Sequence, residues 1–363
     1  MNLVAIGGGT GLSTLLSGLK RYVDNDVTDQ SESLPLIETL TAIVTVSDDG
    51  GSSGRLREEF QILPPGDIRN CLVALSEDEQ LMARLFRHRF EGKGQLSGHS
   101  FGNLFLTALA AVTGDFLEAI KLTSEVLAIK GRIFPATMAD VILKAELQDG
   151  TVIEGETNIS KSHSPIAKLA ISPEVVYPLE EVIEAIAEAD VITIGPGSLF
   201  TSIIPNLLVQ QIPEALSRSA ALKIYICNIM TQPGETVGFS VDDHVQSISR
   251  YAPELSFDYV VINSTQIPGE LRQKYEAEGA TQIGLEFCDW SDAAMPAVVN
   301  PHTKKTARVV CADLLEVRTI QAEEEKEVIR HSPHQLSRTI LELARQELAR
   351  QVALRSQPLA RQR

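Results

Sequence analysis

Cysteine is sparse in this chain, four residues in 363. Cys71, Cys227, Cys288 and Cys311 lie far apart with no Cys-x-x-Cys spacing. That excludes a disulfide framework or a thiolate metal site and leaves reduced structural thiols. No apolar run reaches the roughly 18 residues that cross a bilayer, so no membrane insertion is expected. The opening "MNLVAIGGG" has neither a basic region nor a cleavage site, and no signal peptide is expected. Basic residues are also short: 32 Lys and Arg stand against 48 Asp and Glu, a formal net charge of −16. Nucleic acid binds through Lys and Arg that neutralise phosphates, so so acidic a chain is not expected to bind it. Salt screens exposed charges beyond about 8 Å, which still permits a local anion pocket built from backbone N–H groups and a few arginines. The expected ligand is small and the expected location cytoplasmic.

What is present is a repeated strand–loop–helix unit. Leu3–Ile6, Leu40–Val46, Asp190–Ile194, Lys223–Cys227 and Asp258–Ile262 are short, β-branched and continuously apolar, as buried parallel strands are. Each runs into polar or glycine residues and then a helix-compatible stretch, which implies an α/β fold with a doubly wound, mainly parallel sheet. Residues 1–331 read as one α/β domain. Within it, 133–173 read as a β-rich insertion: "VILKAELQDGTVIEGE" forms a hairpin turned at Asp149-Gly150, with Ile166–Ser172 as a further strand. Asp24–Pro35 reads as an acidic surface loop. Residues 332–363 read as an amphipathic helix, with Leu336, Ile340, Ala344, Leu348 and Val352 on one face, and a basic tail.

Two glycine loops follow strands. In "GGGTGLS" the backbone of Gly8, Gly9, Thr10 and Gly11 can crowd N–H groups round an anion at a helix start. It is neither a P-loop, having no lysine, nor a dinucleotide fingerprint, because the third glycine position falls on Leu12 or Thr14. "IGPGSLFTS" offers Gly195, Gly197 and Ser198 in the same way, and loops at the carboxyl ends of parallel strands share one crevice. "SDDGGSSGRLR" ends another strand with Asp48 and Asp49, then a potential N–H nest over Gly51, Ser52 and Ser53. The aspartates could accept hydrogen bonds from ligand hydroxyls, hold Mg²⁺ on a diphosphate, or supply a general base. A plain turn-capping role needs no ligand. Acid and base crowded together suit a ligand with both hydroxyls and phosphates, a nucleotide or nucleotide sugar.

In order along Met1–His331, "IGGGTGLS", "VTVSDDGGSSGRLR", "LPPGDIRNCLVAL", "GHSFGNLFLTAL", "IGPGSLFTSIIPNLLV", "NIMTQPGET" and "YEAEG" closely resemble the bacterial gluconeogenesis-factor family of the 2-phospho-L-lactate transferase-like superfamily. The resemblance implies a Rossmann-like fold, a cytoplasmic homodimer, and binding of uridine-diphosphate sugars, notably the N-acetylglucosamine form. It also implies a role in cell shape and wall-precursor supply during gluconeogenic growth, exerted through a regulated partner protein. The transferase cousins move a phospholactyl group from a guanosine-diphosphate-activated donor, with Mg²⁺ on an aspartate pair that matches Asp48 and Asp49. Further candidates for ligand contact are Arg69 and Asn70 at a helix start, His99 and Asn103 in "GHSFGN", and Asn228, Thr231 and Gln232 after the "KIYIC" strand. Tyr275 and Arg330, from the "KY" and "IRH" contexts, could stack on a base and pair with diphosphate. Arg318–Val328 reads as an insertion ahead of "IRH".

Overall fold

The computed structural model describes residues 1–23, 36–77, 81–162, 164–288, 296–321 and 325–355. The acidic loop Asp24–Pro35, the side chain of Val352 and the tail beyond residue 355 lie outside the described residues. The strands are β1 Asn2–Gly7, β2 Thr39–Val44, β3 Arg132–Pro135, β4 Ile142–Leu147, β5 Val152–Glu154, β6 Ile166–Ser172, β7 Val191–Ile194, β8 Leu222–Ile226, β9 Tyr259–Asn263, β10 Ala297–Val299, β11 Thr306–Ala312, β12 Leu315–Gln321 and β13 Glu325–His331.

Eight of them form the central sheet in the order β10-β11-β9-β8-β7-β1-β2-β3. All neighbours are parallel except β10 on β11. The sequence reading is visible in the burial: β7, β8 and β9 are buried at every position, as a sheet covered by helices on both faces requires. The core is aliphatic, with Leu3, Leu12, Leu15, Leu16, Leu40, Ile43, Ile192 and Ile224 among its wholly buried members.

Chain direction across the sheet reverses beside β1. From β1 the chain moves outward to β2 and β3, then returns to β7 on the other side of β1 and continues to β8 and β9. The loops after β1 and β7 therefore part at a topological switch point, where open α/β sheets form a ligand crevice.

Two further sheets decorate this body. The insertion is a three-stranded antiparallel sheet, β5-β4-β6, with a short helix, Glu156–Ser160, between β5 and β6. It begins later than the sequence suggested: residues 133–135 belong to β3 and pair with Ala42, Ile43 and Val44 at the edge of the main sheet. The segment that read as an insertion ahead of "IRH" is the antiparallel pair β12–β13, whose register sets Arg330 opposite Glu316.

The final helix runs Pro333–Arg355 and packs on the Gly9–Leu19 helix. Leu336, Ile340 and Ala344 are buried as the periodicity predicted, whereas Leu348 is 38% exposed. The close approach is at Gly18, where any side chain would collide with the Pro333 carbonyl oxygen. None of the helices among the described residues is long and apolar enough to cross a membrane.

Candidate functional site

The loop after β1 turns at once into the Gly9–Leu19 helix, so the N–H groups of that helix start face the crevice. Gly9 has φ +61°, a backbone conformation L side chains rarely adopt. A side chain on Gly8 would stand 2.8 Å from Asp67 Oδ2, and one on Gly11 would strike the Pro196 carbonyl oxygen. Gly9 is thus needed for its backbone conformation and Gly8 and Gly11 for closeness: the loops after β1 and β7 touch through their backbones at Gly11 and Pro196. Gly195, by contrast, is a turn glycine at φ +84° beside Ile226 O and does not line the crevice.

A cleft of about 390 Å³ opens above these two loops. Gly8, Gly9, Thr10, Gly11, Gly197 and Ser198 line it. So do Asn228, Thr231 and Gln232 from the loop after β8, Tyr275 from the Gly269–Ala277 helix, and Arg330 from β13. Gln232 Nε2 donates to Ser198 Oγ at 2.7 Å, and Asn228 Nδ2 donates to Gln232 Oε1 at 3.1 Å, so these three polar side chains form one chain along the cleft. Thr231 instead ties its Oγ1 to the Thr281 N–H at 2.8 Å. The Tyr275 hydroxyl accepts from the Ile329 N–H at 3.0 Å, joining its helix to β13 and fixing Arg330 beside it.

The remaining predicted residues gather elsewhere, around a second cleft of about 280 Å³. It is lined by Asp48, Gly51, Ser52, Ser53, Arg69, Asn70 and Asn103, together with Asp67 and Arg89. The single crevice expected from sequence is therefore two clefts. The expected Gly51–Ser53 nest is the first turn of a helix, Gly51–Phe60. Arg69 Nη1 donates to Ser100 Oγ at 2.6 Å and to Asn103 Oδ1 at 2.9 Å, and Nη2 to Asn70 Oδ1 at 2.7 Å. Asn103 Nδ2 donates to Ser52 Oγ at 3.1 Å, whose other contact is His99 Nδ1 at 3.0 Å. His99 lines neither cleft; it buttresses Ser52 from behind, and burial and nearby Arg55 lower its pKa. Arg57 is likewise structural, donating to Val141 O at 2.6 Å and pairing with Asp140.

Asp67 joins the two clefts. Its Oδ2 accepts from the Gly9 N–H at 2.7 Å while it lines the second cleft. Burial, then the charge of Asp48, push its pKa up to about 6. Two acids that sequence reasoning passed over share this field. Glu156, at the start of the insertion's helix, lines the first cleft, and burial followed by Asp48, Asp67 and Glu235 raise it to about 9. Glu235 accepts from Phe200 N at 3.1 Å and Thr201 Oγ1 at 3.2 Å, and burial raises it to about 7. Glu235 stood inside the "NIMTQPGET" motif, so a signal existed for it; Glu156 had none. His331 was also missed beside Arg330. It lines the first cleft, its Nε2 has no hydrogen-bond partner among the described residues, and burial lowers its pKa to about 4, so it is neutral.

The aspartate pair is split. Asp49 Oδ1 accepts from Thr157 N at 2.9 Å and Thr157 Oγ1 at 2.7 Å, and Asp49 lines neither cleft. It fastens the insertion to the end of β2 rather than addressing a ligand. Asp48 faces the second cleft, with Oδ1 accepting from Gly50 N at 2.9 Å. A two-carboxylate magnesium clamp does not fit this arrangement. Among the described residues no three His, Cys, Asp or Glu side chains converge as a metal-ligating group.

The description "2-phospho-L-lactate transferase CofD" matches residues 3–303. The chain is 44% identical over 342 residues to the gluconeogenesis factor of Halalkalibacterium halodurans, covering 94% of this chain and 96% of that one. It is 48% identical over 286 residues to the gluconeogenesis factor of Bacillus subtilis, covering 78% and 86%. A crystal structure of a UPF0052-family protein from Bacillus halodurans superposes with a TM-score of 0.78 at 42% identity, over 94% of this chain and 98% of that one. A cradle at the switch point, motifs in unbroken order and similarity along nearly the whole length agree: the chain belongs to the gluconeogenesis-factor family, within the CofD-type transferase group.

Proposed function

We propose that the first cleft binds a nucleoside-diphosphate sugar of the uridine-diphosphate N-acetylglucosamine type, and that the chain is a regulator and not an enzyme. The observation that carries this reading is the lining of one cleft, which combines the backbone of two glycine loops with Arg330 and Tyr275. A diphosphate suits the helix start and the guanidinium, and a ring suits the tyrosine. The cleft volume lies in the usual range for small-ligand sites, about 300–1,000 Å³. Similarity to gluconeogenesis factors supports a role in gluconeogenic growth; on this reading bound nucleotide sugar reports wall-precursor supply in the cytoplasm, and a homodimer passes that signal on cell shape to a partner protein.

A second reading is a transferase of a phosphate-linked group. The CofD match favours it, as does the acidic wall of Asp48, Asp67 and Glu156 between two clefts. Calorimetry with uridine-diphosphate N-acetylglucosamine, with and without Mg²⁺, separates the two. The regulator reading predicts binding without turnover. It also predicts about 10–100-fold weaker binding for Arg330→Ala, since a hydrogen bond to a charged group contributes about 1.5–3 kcal/mol and about 1.4 kcal/mol is tenfold. Release of a nucleoside monophosphate from a guanosine-diphosphate-activated donor would instead establish the transferase.

A further inference from the structure

The second cleft is built for an anion of its own. Two helices start at it, Gly51–Phe60 and Pro65–Leu75, and a third, Phe101–Thr113, reaches it through Asn103. The first two are at least ten residues long and bring first-turn N–H groups and the positive ends of their dipoles to the cleft, whereas the third is capped, with Phe101 N donating to His88 O and Asn103 N to Ser100 Oγ. Arg69 supplies a second, independent sign. It is 8% exposed, its guanidinium sits in the wall between Asn70 and Asn103, and its Nε has no hydrogen-bond partner among the described residues. Nothing apolar is gained by burying such a group. Burial and neighbouring Arg89 lower its pKa to about 10, so the wall holds cationic charge at a cost. Gly102 reinforces the point: a side chain there would meet Arg69 Cδ at 2.8 Å, so the helix start is pared back to admit the arginine stem. Arg89 flanks the opening with an exposed side chain whose Nη1 donates to Gly98 O at 2.8 Å.

Facing these donors are the carboxylates of Asp48 and Asp67. A bare oxyanion would fill the donor side and leave them facing it. A molecule with a phosphate at one end and hydroxyls at the other would satisfy both, the phosphate on Arg69, Arg89 and the helix starts, the hydroxyls donating to Asp48. We propose that the second cleft is a separate binding site for a small, hydroxyl-bearing phosphate monoester, occupied independently of the first. Asp67 lies between the sites, bonded to the Gly9 N–H of the first while lining the second.

The test is a calorimetric titration of the full chain with glycerol 3-phosphate and, separately, inorganic phosphate at physiological salt. Glycerol 3-phosphate is expected to bind at least fivefold more tightly than inorganic phosphate. Arg89→Gln, an exposed site whose substitution leaves the fold intact, is expected to weaken it about tenfold, and Arg69→Gln by more, with thermal melts checking that each variant is folded. Arg330→Ala should leave it unchanged, as should saturation with uridine-diphosphate N-acetylglucosamine; the titration on free protein reads the second cleft whether or not that nucleotide binds. Displacement by the nucleotide sugar, wild-type affinity in Arg89→Gln, no gain over inorganic phosphate, or no binding at all would each overturn the assignment.

Discussion

Gly11 sets the distance between the two glycine loops. A methyl group there would overlap the Pro196 carbonyl oxygen, which is backbone and cannot swing aside. Gly11→Ala is expected to lower stability by about 1–3 kcal/mol, as overpacking does, and to abolish nucleotide-sugar binding by spreading the cradle. Denaturant unfolding and calorimetry check both; unchanged binding would mean the loops need not touch. Glu156 gives a pH prediction. Its folded pKa is raised, from about 4.5 to about 9, so the protonated carboxyl is favoured by folding. The contribution is fully present below pH 4.5 and is lost as pH rises through 9. Glu156→Gln should therefore match the wild type near pH 4.5 and exceed it in thermal midpoint near pH 9. A parallel decline in both proteins would contradict the assignment. Of these two residues only Gly11 was legible in the sequence, because a glycine loop after a strand has a local signature. Glu156 lies far along the chain from Asp48 and Asp67, and its environment exists only once the insertion folds over them.

At the scale of elements, the insertion is fastened by polar ties, among them the Leu169 N–H donating to the Tyr251 hydroxyl at 2.7 Å and the contact of Asp49 with Thr157. Asp49 receives both the N–H and the hydroxyl of Thr157, which docks the Glu156–Ser160 helix onto the end of β2. Thr157→Val should cost about 1–2 kcal/mol locally and speed hydrogen exchange across β4–β6 while leaving β1 and β2 protected. Uniform acceleration, or none, would show that the tie is not what docks the insertion. The same geometry predicts that Asp49→Asn leaves any magnesium dependence of nucleotide binding unchanged; its loss would restore the aspartate pair as a metal site. The strands were readable because buried parallel strands are short apolar runs, and the insertion hairpin because Asp149-Gly150 is a strong turn signal. The destination of Asp49 was not readable, since a carboxylate at a strand end looks alike whether it meets a ligand or a distant threonine. Nor was β12–β13: a charged, half-exposed antiparallel pair lacks the apolar run that marked the others, yet it is what carries Arg330 into the first cleft.

At the scale of the molecule, an acidic chain places the groups proposed to bind anions at the carboxyl edge of a sheet whose direction of winding reverses beside β1. The Pro333–Arg355 helix rests on the Gly9–Leu19 helix, its first residue meeting Gly18, so the element that starts at the glycine loop is backed by it. The measurement that bears most directly on this account is a crystal structure of the full chain soaked with uridine-diphosphate N-acetylglucosamine. The account predicts the diphosphate against the amides of Gly9–Gly11 and Gly197–Ser198, Arg330 paired with it, and the ring system beside Tyr275. Density for the nucleotide in the cleft of Arg69 and Asn103 instead, with the glycine cradle empty, would contradict it.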